Sequence, residues 1–128
     1  MILLLDTSTP VCKLTLIDGD ERYSKQWQAD RTLAKGLLGF LEQELVAHNA
    51  SWSDLSGLGV FQGPGSFTGL RIGMTVLNTM AEALAVPIVA AKGEEWQGSA
   101  IARLHAGEND FLALPFYGAG ANITKPRK

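Results

Sequence analysis

Residues 59–73 read Gly-Val-Phe-Gln-Gly-Pro-Gly-Ser-Phe-Thr-Gly-Leu-Arg-Ile-Gly. A short apolar run leads into a glycine-proline loop and then into a long apolar segment. That order commits the chain to strand, tight loop and helix, the unit from which α/β folds are built. Such a junction gathers backbone N–H groups and the positive end of a helix dipole at one point, so it can hold an anion. Gly63 and Gly65 supply permissive backbone and Pro64 stiffens it. Ser66 and Thr68 are candidate caps for the helix that follows. The loop has no Lys and does not fit Gly-x-Gly-x-x-Gly, so neither nucleotide-loop motif applies. Anion binding and a plain strand-to-helix turn both stay open at this point.

The flanking chain extends the same pattern. Residues 2–5 are continuously apolar, as expected of a strand covered on both faces. Residues 11–17 read as the next strand, Asp18-Gly19 as a hairpin turn, and 21–28 as a polar edge strand. Asp30 is placed to cap a helix running to about His48, with Leu33, Leu37, Leu41 and Leu45 on one stripe and Asn49 as its stop. Residues 57–61 form the fourth strand. The second helix is expected from about Thr68 to Ala85, the fifth strand over 87–91, and a third helix over 94–106, ended by Gly107. The expected fold class is α/β: a five-stranded mixed sheet with helices on both faces.

With 128 residues, 46% of them hydrophobic and 19% charged, the chain is expected to form one globular domain rather than a disordered segment. A formal net charge of −2 gives no general attraction to nucleic acid. Cys12 is the only cysteine. It falls in phase with Leu14 and Leu16, which reads as a buried core thiol. The N-terminus lacks the basic start and cleavage site of a signal peptide and no apolar run is long enough to span a membrane, so a cytoplasmic protein without a membrane partner is expected. His48 and His105 lie far apart, each near a predicted helix C-terminus, and no His-x-x-x-His or nucleophile–base motif occurs. No metal, no cofactor and no catalytic residue is expected.

The word Gly63-Pro64-Gly65-Ser66-Phe67-Thr68-Gly69-Leu70-Arg71-Ile72-Gly73 resembles the hallmark of the TsaB (YeaZ) family. Ile2-Leu3-Leu4-Leu5-Asp6-Thr7-Ser8-Thr9 resembles that family's opening strand and turn, and the likeness runs to about Ala91. The resemblance implies one ribonuclease-H-like lobe of the actin-like ATPase (ASKHA) fold over 1–106, with 107–128 as a C-terminal tail. Family members usually carry a second similar lobe. Its absence here reads either as an internal deletion that kept a tail or as a trimmed chain; Pro115-Phe116-Tyr117 and Ile123-Thr124-Lys125-Pro126 are loosely similar to the family's C-terminus. The resemblance further implies a non-catalytic subunit, not an enzyme, that supports formation of threonylcarbamoyladenosine in tRNA. It would bind a TsaD-type catalytic subunit in a complex that also holds a TsaE-type ATPase, and would meet tRNA only through that complex. In actin-like ATPases a turn such as Asp6-Thr7-Ser8 contacts phosphate. With Gly63, Gly65, Ser66 and Thr68 it forms a candidate phosphate site. The alternative function is therefore an independent phosphate- or nucleotide-binding domain with ATPase activity, against which stands the ordinary turn chemistry of Asp, Thr and Ser.

The second helix bears on the partner. Between Ile72 and Leu84 its only charge is Glu82, and its apolar residues point all round, as in a helix buried on every side. Gly36 and Gly39 inside the first helix suggest close approach by a neighbour. In the resembling family these two helices pack on the catalytic subunit. Leu33, Gly36, Leu37, Leu70, Arg71, Met74 and Asn78 are the candidate interface, with Leu70, Met74 and Asn78 as its exposed stripe. A homodimer through the same helices is expected of the free protein. The competing reading is that the chain's own core consumes both helices.

Overall fold

The apolar run at the N-terminus becomes strand β1 (Ile2–Asp6), with residues 2–5 buried on both sides. It pairs antiparallel with β2 (Val11–Asp18), which turns back at Gly19 into β3 (Glu21–Gln28). Strands β4 (Gly57–Phe61) and β5 (Ile88–Ala91) add in parallel on the other side of β1. The sheet order is β3-β2-β1-β4-β5, five-stranded and mixed. The structure, a computed structural model, describes residues 1–116. Tyr117 and the 123–126 stretch of the expected tail lie outside the described residues.

Helices α1 (Leu33–Ala47) and α2 (Phe67–Leu84) cover one face of the sheet, and α3 (Trp96–His105) covers the other. The larger core joins Leu3, Leu5, Leu14 and Val60 of the sheet to Leu37, Leu41 and Leu45 of α1 and to Met74 and Leu77 of α2. The smaller core sets Ile2, Leu4 and Val89 against Trp96 and Ala100 of α3. This is the expected α/β lobe with helices on both faces.

Local signals act as their chemistry dictates at most junctions. Asn49 takes φ +55° just past α1, a backbone region that Asn tolerates. Ser66 caps α2, its hydroxyl accepting the Gly69 N–H at 3.1 Å. Asp30 departs from expectation. Its φ is +48° and its carboxylate accepts the Gln28 amide at 2.7 Å, so it caps nothing. A 3-10 turn, Asp30–Thr32, intervenes before α1 begins. Cys12 is fully buried, as expected. Burial, and then the nearby charge of Asp6, pushes its thiol up to about 12.

The segment after α3 does not leave the lobe. Asp110 N–H donates to the Ile88 carbonyl at 2.8 Å, Ala113 is buried in the larger core, and Phe116 N–H donates to the Gln62 carbonyl at 2.8 Å. Asn78 of α2 clamps this segment in both directions, donating to the Ala113 carbonyl at 3.0 Å and accepting its N–H at 2.8 Å.

Candidate functional site

The Asp-Thr-Ser turn at the end of β1 and the glycine loop before α2 meet. Ser66 N–H donates to the Ser8 carbonyl at 2.8 Å. The Thr7 hydroxyl, fully buried, donates to the Gly69 carbonyl at 2.7 Å. Ser8 N–H and its hydroxyl both donate to Asp6 Oδ1, at 2.9 and 2.6 Å. The candidate phosphate residues thus come together, and Asp6, Thr7, Ser8 and Ser66 bond one another or the adjoining backbone.

The glycines explain why the two segments approach so closely. Gly65, Gly69 and Gly73 recur every four residues from the loop into the first turns of α2, and each meets the β1 turn. A methyl at Gly65 would overlap Ser8, one at Gly69 would overlap the Thr7 carbonyl, and one at Gly73 would overlap the Thr7 hydroxyl. The hallmark word is therefore a docking stripe for the β1 turn. Gly63 differs, holding φ +112° where a side chain would strike the Phe116 carbonyl. Ser66, Thr68 and Gly65 keep solvent exposure at the mouth of the junction, whereas Thr7 and Ser8 are buried beneath it.

The candidate interface residues divide differently from the sequence expectation. Leu33, Leu37, Leu70 and Met74 are 6%, 0%, 1% and 3% exposed, so they belong to the chain's own core. Leu70 and Met74 are not an exposed stripe, and Asn78 is half-buried with its amide engaged by Ala113. Gly36 is approached by Trp27 of β3, and Gly39 by nothing within 4 Å among the described residues. Of the expected set, Arg71 is exposed, its guanidinium 5.2 Å from the centre of the Phe67 ring. The outward stripe of α2 is Thr68, Arg71, Thr75, Thr79 and Glu82. Its polar character is the signal that could have oriented the helix.

Beside that stripe, a groove of about 450 Å³ runs between the helices, lined by Ala34, Phe67, Thr68, Arg71, Ile72, Thr75 and Val76. Phe67 in its lining is 54% exposed, and on α1 Leu38 is 46% and Val46 70% exposed. Ala34, Leu38, Glu42 and Val46 follow at four-residue spacing along α1. His48 sits at the far end of α1, its Nδ1 3.0 Å from the Glu44 carbonyl and its ring against Tyr23. Tyr23 donates to the Glu44 carboxylate at 3.0 Å, which raises the phenol above its ordinary value. Among the described residues, no group of three His, Cys, Asp or Glu side chains is placed to hold a metal ion. No helix there is long and apolar enough to cross a membrane.

The family model described as TsaD: tRNA N6-adenosine threonylcarbamoyltransferase matches residues 27–96, more than half of the chain. The tRNA threonylcarbamoyladenosine biosynthesis protein TsaB of Haemophilus influenzae is 29% identical over 88% of this chain. The chain belongs to the TsaB (YeaZ) family. YeaZ from Pseudomonas aeruginosa superimposes with a TM-score of 0.69 at 29% identity, covering 83% of this TsaB-family chain and 49% of its own. A second solved structure, a protein with similarity to peptidase YeaZ from Pseudomonas aeruginosa, has a TM-score of 0.68 at 32% identity and covers 71% and 42%. The chain spans about half the length of the relatives it matches, 48% for the Haemophilus TsaB.

Proposed function

We propose that this TsaB-family chain is a non-catalytic binding subunit in the formation of threonylcarbamoyladenosine in tRNA, docking on a TsaD-type catalytic subunit through the outer faces of α1 and α2. The observation that carries this reading is the groove between these helices with the exposed Phe67 in its lining, together with Leu38, exposed one helical turn from the groove residue Ala34. Apolar side chains grouped on one solvent face stabilise a folded monomer little and a complex much more. The names of the relatives supply the pathway, and the polar groups of the Asp-Thr-Ser turn, engaged with one another, support a structural role over a chemical one. A TsaE-type ATPase joins the complex, tRNA is met only through it, and the free protein pairs with a second copy through the same helices.

Copurification with the cognate TsaD-type subunit tests the proposal. The wild type is expected to associate at micromolar concentration. Leu38→Asp, which leaves the sheet-facing side of α1 intact, is expected to weaken association by about tenfold or more, because a charge must be desolvated in the contact. Absence of association by the wild type would overturn the reading. Tight binding of ATP and Mg²⁺ by the isolated chain would instead favour the nucleotide-binding alternative.

A further inference from the structure

The two edges of the sheet are protected by different means. β3 carries exposed Glu21, Arg22 and Lys25, and charges along an edge discourage pairing with another strand. The opposite edge strand, β5, reads Ile-Val-Ala-Ala and carries no charge. An open apolar edge of this kind is a template for strand addition.

β5 turns one set of backbone groups toward β4, where the Pro87 carbonyl accepts from Leu58 at 2.9 Å and the Ala91 carbonyl accepts from Gln62 at 2.7 Å. In a parallel pair alternate residues face the same neighbour, so Ile88 and Ala90 face outward. Each of their four outward groups is engaged. Ile88 N–H donates to Asn109 Oδ1 at 3.1 Å, and the Ile88 carbonyl accepts from Asp110 N–H at 2.8 Å. Ala90 N–H donates to Asp110 Oδ2 at 2.9 Å, and the Ala90 carbonyl accepts from Arg103 Nη1 at 3.0 Å. Three of these four partners are side chains. They end the ladder where a sixth strand would have extended it.

The three side chains are themselves held. Asn109 Oδ1 also accepts Phe111 N–H at 2.8 Å. Arg103, from α3, reaches Glu108 through Nε at 2.7 Å and Asp110 through both terminal nitrogens, Nη1 at 3.2 Å and Nη2 closer still. A bidentate guanidinium–carboxylate pair fixes the Asp110 plane, and with it the oxygen that Ala90 needs.

We propose that Asn109, Asp110 and Arg103 form an edge guard, whose function is to keep β5 from pairing with β5 of a second copy of this chain. The guard acts on the edge opposite β3 and is independent of the helix face assigned to the partner subunit.

Amide hydrogen exchange and sedimentation of the full chain, wild type against Asn109→Ala/Asp110→Ala, test this. In the dilute variant the Ile88 and Ala90 amides are expected to exchange about tenfold faster or more, while the Leu3 and Val60 amides keep their protection. As concentration rises the variant is expected to self-associate beyond the wild type and to regain protection at 88 and 90, because paired edges share those hydrogen bonds. Unchanged exchange at both amides in a folded variant would overturn the proposal. So would association no greater than that of the wild type, or added association without recovered protection, since the added contact would then lie elsewhere. If the double variant does not fold, Asp110→Asn keeps the shape but loses the charge pair with Arg103. Faster exchange at Ala90 is then the expected result, and none the contrary one.

Discussion

Gly73 and Gly39 sit in helix interiors, yet the same substitution is expected to act on them with opposite sign. At Gly39 a methyl meets nothing within 4 Å, so Gly39→Ala should gain up to about 1 kcal/mol of helix propensity. At Gly73 the methyl overlaps the Thr7 hydroxyl and lies 3.1 Å from its Cγ2. Thr7 cannot swing aside without losing its bond to the Gly69 carbonyl. Overpacking of this kind costs about 1–3 kcal/mol, more than the propensity gained. Urea denaturation of the two variants, with slopes unchanged, should show midpoints displaced to opposite sides of the wild type. Equal displacements would mean that the stripe does not need glycine where it meets Thr7.

Among the elements, the two helices that face the groove begin in different ways. Ser66 satisfies the Gly69 N–H in the first turn of α2, and Ser66→Ala is expected to cost about 0.5–2 kcal/mol. Asp30 offers the same capping chemistry in sequence but spends it on Gln28 ahead of a 3-10 turn, so Asp30→Gly, which removes the carboxylate and suits the φ of +48°, should stay within about 0.5 kcal/mol. Thermal melts of both variants check the contrast. A larger loss at Asp30 would place the start of α1 earlier than the structure does. Both helices read as strongly apolar because each gives one side to the sheet, while α2 gives further surface to α1 and to the segment around Ala113.

For the molecule as a whole, residues 109–116 determine how the lobe is closed. They guard β5, fill the core with Ala113 and reach Gln62 beside the hallmark loop. Phe111, Leu112 and Leu114 remain exposed along the way. Asn78→Leu would remove both bonds to Ala113 and leave its N–H and carbonyl without those partners, at a cost of about 1–3 kcal/mol. Chymotrypsin should then cut at Phe111 or Leu112 faster than in the wild type, before the rest of the lobe is cleaved. Unchanged cleavage would show that Asn78 is not what ties the segment down.

The sequence by itself determined the order of strands and helices, the hairpin at Gly19, the Ser66 cap, the Asn49 stop and the buried Cys12. Each of these rests on residues adjacent in the chain or repeated at the period of one element. It also carried the family resemblance, since the hallmark word is contiguous. Only the tertiary structure decided that Leu70 and Met74 turn into the core and that Asn78 holds Ala113, because the partners of these side chains lie in distant segments. Only the fold could show that Gly65, Gly69 and Gly73 answer to Thr7 and Ser8, a meeting of segments 62 residues apart for Thr7 and Gly69. The same holds for Asn109 and Asp110, which read as loop residues until the free edge of β5 lies beside them. Backbone groups at a sheet edge take whichever partners the packing brings, and no local period in the chain records them.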